Sequence, residues 1–405
     1  MIKMSVLSLW KNKIIGSRAH RSLPSEETVT QGGTLIITHA ELSARHGTGA
    51  LLARIFRNER NLVVIHSQKF FEKHDIEVSA SRITHSRLTF GAARMQIRRL
   101  LKTKNVQRIL CVPFYKDDVY SALVAQAYTG APLALYLMDD QNIHVKEIPD
   151  RLMQALIQAA RICLAISPGL CAAYQEKYGR KFWFVPPVAD PELFVPRDYA
   201  FTPNSPPRGI LIGNLWSSHT LTNFRNAIRI AGLRIDWYGN AGKPFVALDR
   251  EALAKEGIFL HSHVPEQMLV EAARSADFAV IPAGTLEGSD SHDWLARASL
   301  PSRIVYLMAV ANIPMIVVGH RETAAARFVT DLGLGTVCDY SPASFEAAVN
   351  LATDRVTSAQ TRARAAGWSP TFSSRGLANW LWESLSAGKP ANNQFQSLMH
   401  TEVSK

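Results

Sequence analysis

The strongest candidate for anion chemistry is a serine and an arginine at the predicted start of a helix. In Pro301-Ser302-Arg303 a hydroxyl, a guanidinium and free backbone N–H groups converge just after a loop. This combination suits a diphosphate, because the positive end of the helix dipole and the arginine both favour negative charge. The alternative is an ordinary N-cap with a solvated arginine. We favour the diphosphate site and predict a catalytic role for Arg303, stabilising charge on a departing diphosphate.

Two segments of the first half could contact substrate. A glycine turn, Gly47-Thr48-Gly49, follows a predicted strand and opens a predicted helix. It could bind a phosphate through its backbone or be a plain tight turn, and the sequence leaves both open. Asp139 and Asp140 follow another apolar strand. They could act on a substrate hydroxyl as catalytic residues or cap the next turn.

The candidates for binding a nucleotide in the second half, Ser302 and Arg303 among them, come from loops that follow predicted strands. Ligands of doubly wound sheets bind outside the carboxyl ends of the strands, which makes these loops the expected site. The residues are Gly213, Asn214, Gly239, His263, Val264, Glu287, Ser302 and Arg303. The 13 histidines form no His-Glu-x-x-His pattern and the chain has no Cys-x-x-Cys pair. We therefore predict no metal site and no cofactor.

The elements that must position these residues alternate between short apolar strands and helices. In the first half, predicted strands lie at 34–38, 61–65, 108–113, 132–138, 162–167 and 181–185. A second series at 209–213, 234–238, 258–261, 278–282 and 314–319 follows a proline-rich stretch. Such alternation predicts an α/β fold with two tandem Rossmann-like, doubly wound parallel-sheet domains that face each other across a cleft. A final helix, predicted at 375–386 and capped by Ser373 or Ser374, would cross back to the first domain.

The predicted domain organisation follows from these boundaries. A basic flexible arm covers residues 1–30, the first Rossmann-like domain 31–195 and the second 205–372. The crossing helix covers 373–388, and a flexible tail covers 389–405.

Composition narrows the class of protein. The chain has 405 residues and is 47% hydrophobic, so it is globular and long enough for more than one domain. Its four cysteines lie mostly in apolar runs and predict reduced core thiols in a cytoplasmic protein. The longest uncharged stretch, 119–138, is interrupted by Thr129-Gly130-Ala131-Pro132. A helix, a turn and a strand explain it better than a membrane span.

The positive charge is concentrated in the first half. Residues 1–200 carry 27 Lys and Arg against 17 Asp and Glu, a net charge of +10 out of +11. Four of these basic residues, Arg87, Arg94, Arg98 and Lys102, form one stripe of a predicted amphipathic helix over 87–102. The stripe could be an ordinary solvated face, but the charge excess favours an anionic membrane surface. No RNA- or DNA-binding motif accompanies it, so we do not expect a nucleic-acid partner.

One stretch resembles a known family. The segment AISPGLCAAYQEKYGRKFWFVPPVADPELFVP, residues 165–196, is similar to the domain junction of GT-B glycosyltransferases of family 4. Pro186, Asp190, Phe194 and Pro196 match the family's junction motif. The stretch from His263 to Pro282 and the motif Pro301-Ser302-Arg303-Ile304 resemble the family's donor-binding region. The resemblance covers roughly residues 33–388 and implies the GT-B fold.

The chain departs from that family at its two glutamates. Glu287 would stand for the first of the pair that holds the donor sugar and ribose, while the second falls at Tyr306 or Leu307. The basic pair that the family carries after the first strand of the second domain is also missing from residues 213–218. These departures keep open a non-catalytic GT-B scaffold or binding protein in a polysaccharide-assembly complex.

The resemblance implies a hexosyl-type glycosyltransferase that uses a nucleotide-sugar donor and retains the anomeric configuration. It places the nucleotide in the second domain and a saccharide, expected to be lipid-linked, in the first. We therefore expect a role in cell-surface polysaccharide assembly, at the cytoplasmic face of the membrane, with the basic stripe on anionic lipid.

Overall fold

The structure is a computed structural model that describes residues 33–83, 90–197, 199–215, 217–229, 233–239, 246–288 and 293–400. The chain divides into two compact units. The first contains the chain up to Ile166, Leu170–Phe184 and Gly376–Asn393. The second contains Ser167–Gly169, Val185–Arg375 and the residues from Gln394 onward.

The first unit is a seven-stranded parallel sheet in the order β3-β2-β1-β4-β5-β6-β7. Its strands are β1 (Gly33–Thr38), β2 (Leu62–His66), β3 (Ser79–Arg82), β4 (Val106–Cys111), β5 (Leu133–Leu137), β6 (Ile162–Ala165) and β7 (Trp183–Phe184). The helices that follow them are α1 (Gly47–Phe56), α2 (Phe90–Leu101), α3 (Lys116–Thr129), α4 (Asp150–Ala159) and α5 (Pro168–Tyr178). All residues of β1, β2, β5 and β6 are buried, as expected for central parallel strands covered on both faces.

The second unit is a six-stranded parallel sheet in the order β10-β9-β8-β11-β12-β13. Its strands are β8 (Arg208–Ile212), β9 (Arg234–Tyr238), β10 (Ile258–His261), β11 (Phe278–Pro282), β12 (Met315–Val318) and β13 (Gly335–Cys338). Its helices are α6 (Ser218–Ala227), α7 (Arg250–Lys255), α8 (Glu266–Ser275), α9 (Asp293–Ala298), α10 (Ser302–Ala311), α11 (Ala324–Asp331), α12 (Pro342–Thr353) and α13 (Arg355–Trp368). Alternate strand residues supply two apolar clusters, one with Ala279, Ile281 and Met315, the other with Phe278, Val280 and Ile316. The predicted α/β class with two Rossmann-like sheets is therefore confirmed.

The last long helix, α14 (Leu377–Ala387), belongs to the first unit although it follows the second in sequence. Trp382 fixes it there, with its ring 5.6 Å from that of Phe56 and the Arg108 guanidinium 4.7 Å above it. The helix begins two residues later than predicted, because Gly376 adopts a left-handed conformation at its start. The side chain of Ser374 instead donates to Asp190, at 2.9 Å, so the predicted serine cap was wrong.

All four cysteines are free and buried, which confirms the prediction of reduced core thiols. Among the described residues, no helix combines the length and the apolar character that crossing a membrane requires.

Candidate functional site

Arg303 lies at the topological switch point of the second sheet. Strands β8 and β11 are neighbours there although their helices run to opposite sides, which opens a crevice at their carboxyl ends. Gly213 follows β8 with a φ of +100°, and a Cβ on it would come within 2.8 Å of the Arg303 guanidinium. Arg303 also donates to the Pro282 carbonyl at the end of β11, at 3.4 Å. The glycine is therefore needed twice, for its backbone conformation and for the space that the arginine fills.

The charge of Arg303 has no counterion among the residues that the structure describes. Its Nε is buried and lacks a hydrogen-bond partner there. Burial lowers the pKa of Arg303 to about 10, although Tyr340 acts in the opposite direction, so the side chain stays cationic at neutral pH. It is the second residue of α10, where the Ser302 and Arg303 amides have no helix carbonyl to bind. An anion at this point would meet a cation and unpaired amides together.

Close backbone approaches shape the sheet edge around Arg303. A Cβ on Gly239, after β9, would meet the Gly213 carbonyl at 3.0 Å. The Trp237 indole donates to that same carbonyl at 2.7 Å, and the Tyr340 hydroxyl donates to Ala283 at 2.6 Å. These contacts hold the ends of β8, β9 and β11 with little side-chain bulk between them, so a ligand can reach the backbone there.

The loop after β11 is held by a carboxylate that the sequence did not single out. Asp293 accepts from the backbone of Leu286 at 3.2 Å and of Gly288 at 2.7 Å. Glu287 lies between these two residues and is exposed. The structure therefore places Glu287 on a loop that Asp293 fixes, at the carboxyl edge of the sheet where the sequence expected it.

The other predicted residues of the second unit occupy the same edge. His263 is exposed and Val264 half-buried in the loop after β10, and Asn214 is half-buried after β8. Tyr306 and Leu307, at the position of the family's second glutamate, are buried inside α10 and offer no carboxylate there.

A charged cluster links three neighbouring strands of this sheet, β8, β9 and β10. Asp236 of β9 is 2% exposed and accepts from Arg234, Arg208 and His261. Burial alone would raise the pKa of Asp236, but hydrogen bonds from Arg234, Arg208 and His261 outweigh it and lower that pKa to about 2.

We predict that Asp236→Asn destabilises the second unit by about 2–3 kcal/mol at pH 7. Because the Asp236 carboxyl has a lower pKa in the folded than in the unfolded protein, it stabilises the fold at pH values above its unfolded-state pKa. That contribution is lost as the pH falls from about 4 to about 2. Calorimetric melting of wild type and variant across this range measures the difference, which should shrink toward pH 2. A difference that is constant with pH would contradict it.

In the first unit, the two glycines of the predicted phosphate turn differ. A Cβ on Gly49 would lie 2.2 Å from the Glu41 carbonyl and 2.8 Å from the Ser43 nitrogen. A Cβ on Gly47 would meet nothing within 4 Å, and Thr48 is half-buried between them. Gly49 thus has a packing role in the first turn of α1, whereas Gly47 and Thr48 are open to a ligand.

The two aspartates after β5 also differ. Asp140 is fully buried and organises the loop that follows it. Its carboxylate accepts from four backbone amides and one hydroxyl, those of Asn142, Ile143, His144, Val145 and Tyr174. Burial would raise the pKa of Asp140, but these hydrogen bonds outweigh it and lower that pKa. Asp140 is therefore held by the protein itself, whereas Asp139, whose carboxylate accepts from the Asp140 amide at 3.1 Å, is half-buried and the more exposed of the two.

Because the strands of the first sheet are parallel, Gly47–Gly49 and Asp139-Asp140 lie at the same carboxyl edge. At this edge the structure pairs His46, which precedes the predicted glycine turn and was a sequence candidate with it, with His39, which the sequence analysis did not single out. His39 follows β1 directly, and its ring lies 3.8 Å from that of Phe114, which follows β4. Strands β1 and β4 are adjacent, so this is the switch point of the first sheet. His39 and Phe114 each come shortly after one of these strands, and that position is the sequence signal that could have identified them.

The basic stripe falls on α2 only in part, since Arg87 lies outside the described residues and Lys102 directly follows the helix. Arg94 and Arg98 are half-buried, Lys102 is exposed, and the guanidinium of Arg98 lies 5.6 Å from the Tyr128 ring centroid. The adjacent face of the helix packs inward through Ala93, Ile97 and Leu101. Among the described residues, no group of three or more His, Cys, Asp or Glu is arranged to hold a metal ion.

Several solved structures share this architecture. The HepE protein of Anabaena, crystallised in complex with UDP, matches with a TM-score of 0.61 at 11% identity, over 88% of this chain and 100% of its own. The N-terminal domain of trehalose-6-phosphate phosphatase from Candida albicans matches with 0.58 at 8% identity, over 90% and 99%. UGT2 of Phytolacca americana, complexed with UDP-2fluoro-glucose and pterostilbene, matches with 0.52 at 12% identity, over 89% and 100%.

No protein-family model and no curated protein sequence matches this chain. At the identities of the similar structures the likeness establishes the fold. Together with the two Rossmann-like sheets, it gives the chain the two-domain α/β GT-B fold.

Proposed function

We propose that this chain is a glycosyltransferase that takes a sugar from a nucleotide-sugar donor. The observation that carries the proposal is Arg303, a cation without a described counterion at the switch point of the second sheet and at the start of α10. Departure of a nucleoside diphosphate places developing negative charge on phosphate oxygens, which such a group stabilises. The similar structures with UDP or a UDP-sugar bound make uridine diphosphate the first nucleotide to test.

The direct test is incubation of the protein with a panel of nucleotide sugars, followed by measurement of slow donor hydrolysis. In parallel, calorimetric titration measures binding of the free nucleoside diphosphates. Hydrolysis of one donor together with micromolar binding of its nucleotide supports the proposal. A protein that binds no member of the panel contradicts it.

The finer features of the function rest on the resemblance to family 4. We propose a hexose donor, retention of the anomeric configuration and no cofactor beyond the donor itself. The first unit would bind the acceptor, a saccharide carried on a lipid, in cell-surface polysaccharide assembly. Gly47, Thr48 and Asp139, at the carboxyl edge of the first sheet, are the residues that we assign to contact it. The NMR coupling constant of the product's anomeric proton tests retention.

We also propose that α2 holds the protein on the anionic cytoplasmic face of the membrane. Arg94, Arg98 and Lys102 support it, because each keeps exposed surface beside the buried Ile97 and Leu101. Burial and the neighbouring Arg98 lower the pKa of Arg94. Each basic residue near such a surface contributes about 1 kcal/mol, and the attraction decays within about 8 Å.

We expect the protein to co-sediment with vesicles that contain anionic lipid, and salt should weaken this binding. Charge reversal at Arg87, Arg94, Arg98 and Lys102 should abolish it. A matched control reverses four exposed residues of the second unit, Arg250, Lys255, Arg321 and Arg355, and should keep it. Equal binding to neutral vesicles, or equal loss in both variants, would contradict a specific role of α2.

A non-catalytic nucleotide-binding scaffold is the second candidate. The buried Tyr306 and Leu307 favour it, since α10 places no carboxylate where the family carries its second glutamate. A scaffold would bind the nucleotide but leave every donor of the panel intact, so the hydrolysis assay separates the two.

A further inference from the structure

Strand β3 leaves one edge of the first sheet unpaired among the described residues, since it is the last strand of the sheet order and pairs with β2 alone. The Ile83 amide, directly after β3, donates to the His66 carbonyl of β2 at 3.0 Å. Alternate residues of an extended strand direct their backbone groups to opposite edges, so Ala80 and Arg82 point theirs away from β2. Neither residue has a hydrogen-bond partner on that outer side in the described part of the chain.

An edge of this kind can accept another strand, because its outward N–H and C=O groups match those of an extended peptide. Pairing of β3 with β3 of a second copy is disfavoured. It would bring the arginines of both copies to one seam, where like charges repel. The edge therefore suits a segment of opposite charge.

A groove of about 340 Å³ lies beside this edge, between β3 and α2. Arg82 and Arg99 are exposed there, and neither side chain forms an ion pair or a hydrogen bond with a described residue. The sequence has no acidic residue between Glu77 and Asp117, so this stretch contains no carboxylate that could neutralise them. The residues that line this β3 groove are Ser81, Arg82, Ile83, Gln96, Arg99 and Leu100.

The β3 groove is separate from the basic stripe of the same helix. The stripe repeats every four residues from Arg94, and Gln96 and Leu100 form a second row with the same spacing. At 100° per residue, the centres of the two rows are about 180° apart around the helix. A membrane on the stripe therefore leaves the groove accessible to a soluble partner.

We propose that the β3 edge binds an extended acidic segment of another protein as an additional strand of the first sheet. Main-chain hydrogen bonds to Ala80 and Arg82 hold the segment, and acidic side chains on one of its faces enter the β3 groove beside Arg82 and Arg99. Because the side chains of a strand alternate between faces, the segment carries an acidic residue at every second position. This partner site is independent of the proposed transferase function.

A phosphate or a lipid headgroup accounts for less of the structure. Either anion would use the two guanidinium groups but leave the outward backbone groups of β3 without a role. An extended acidic peptide uses both, and the groove beside the edge gives its side chains space.

The probe for this site is a short synthetic peptide with blocked ends, in which glutamate alternates with valine or threonine. Fluorescence anisotropy with the full-length protein measures its Kd. Two further peptides carry N-methyl groups, one on the glutamate amides and the other on the amides between them. Strand pairing uses a single edge of the peptide, so one methylated peptide should lose binding and the other should keep it.

Residue-resolved amide hydrogen exchange locates the bound peptide. The amides of Ala80 and Arg82 should exchange more slowly when the peptide is present, because they gain hydrogen bonds. The Ile83 amide, already bonded to His66, should change little.

Three variants separate the charge from the backbone. Arg82→Glu and Arg99→Glu should each weaken peptide binding at least about tenfold in Kd, whereas the control Arg355→Glu, at an exposed arginine of the second unit, should bind normally. Ala80→Pro removes an outward N–H and leaves the bonds to β2 intact, so it should abolish binding with little change in melting temperature.

Several results would overturn the proposal. Equal binding of the two methylated peptides, or unchanged exchange at Ala80 and Arg82, shows that no strand is added, as does absence of binding up to millimolar peptide. Protection of these amides by anionic vesicles but not by the peptide assigns the edge to lipid. A dimer in light scattering that Ala80→Pro dissociates assigns it to a second copy.

Discussion

Arg303→Ala is expected to weaken binding of a nucleoside diphosphate by about 1.5–3 kcal/mol, or roughly 10- to 150-fold in Kd. The guanidinium donates to the Pro282 carbonyl and forms no ion pair among the described residues, so its charge remains available to a phosphate. Titration calorimetry at fixed ionic strength measures the change, because the contact is charge-assisted and depends on salt.

Two further variants show whether Arg303 acts through the ligand or through the fold. Arg303→Met keeps the volume but removes a cation with a buried, unpaired Nε, so we expect weak binding with an unchanged or higher melting temperature. The control Arg355→Ala removes an exposed arginine at the start of α13 and should bind nucleotide normally. Unaltered affinity in Arg303→Ala would remove the central residue of the candidate site.

Gly49→Ala should destabilise the first unit by about 3 kcal/mol, while Gly47→Ala, two residues earlier in the same turn, should be neutral or slightly stabilising. The added methyl group at Gly49 meets the backbone of Glu41 and Ser43, which cannot rotate away as a side chain would. At Gly47 the space is open, and alanine is the better helix former.

Differential scanning calorimetry of both variants measures these effects as shifts of the first unit's transition. If both alanines are tolerated, the 2.2 Å approach at Gly49 is relieved by a backbone movement that costs little. If Gly47→Ala also weakens binding of a phosphate-containing ligand without changing stability, the turn contacts that ligand.

Most of the fold follows from strands that are apolar along their whole length. Runs such as β1, β2, β5 and β11 are buried on both faces, and only a sheet with helices on both sides accommodates them. β3 was missed because its residues, Ser79–Arg82, alternate between half-buried and exposed at a sheet edge and contain no apolar run. β13 was missed for a related reason, since only its last residue is buried.

The candidate site was predictable where it depends on strand ends and helix starts, and not where it depends on distant partners. Arg303 and Gly213 are 90 residues apart in sequence, and both were predicted from their positions after strands. Their mutual contact depends on the sheet order and is not visible in either motif. Side-chain geometry likewise determines the hydrogen bonds of Asp140, the hydrogen bonds by which Asp293 holds its loop, and the pairing of His39 with His46.

The far end of α10 affects the candidate site without touching it. Arg274 donates to the Val310 carbonyl at 2.9 Å and Arg362 to the Ala311 carbonyl at 3.4 Å, so two cations neutralise the negative end of the helix whose second residue is Arg303. The helix is about 15 Å long. Substitution of Arg274 or Arg362 should therefore weaken nucleotide binding from a distance. A mutational screen for nucleotide binding would mistake both arginines for contact residues. Amide hydrogen exchange along α10 would distinguish these arginines from true contact residues. Loss of either arginine loosens the last turn of α10 and speeds exchange there, whereas loss of a phosphate contact acts on the first turn.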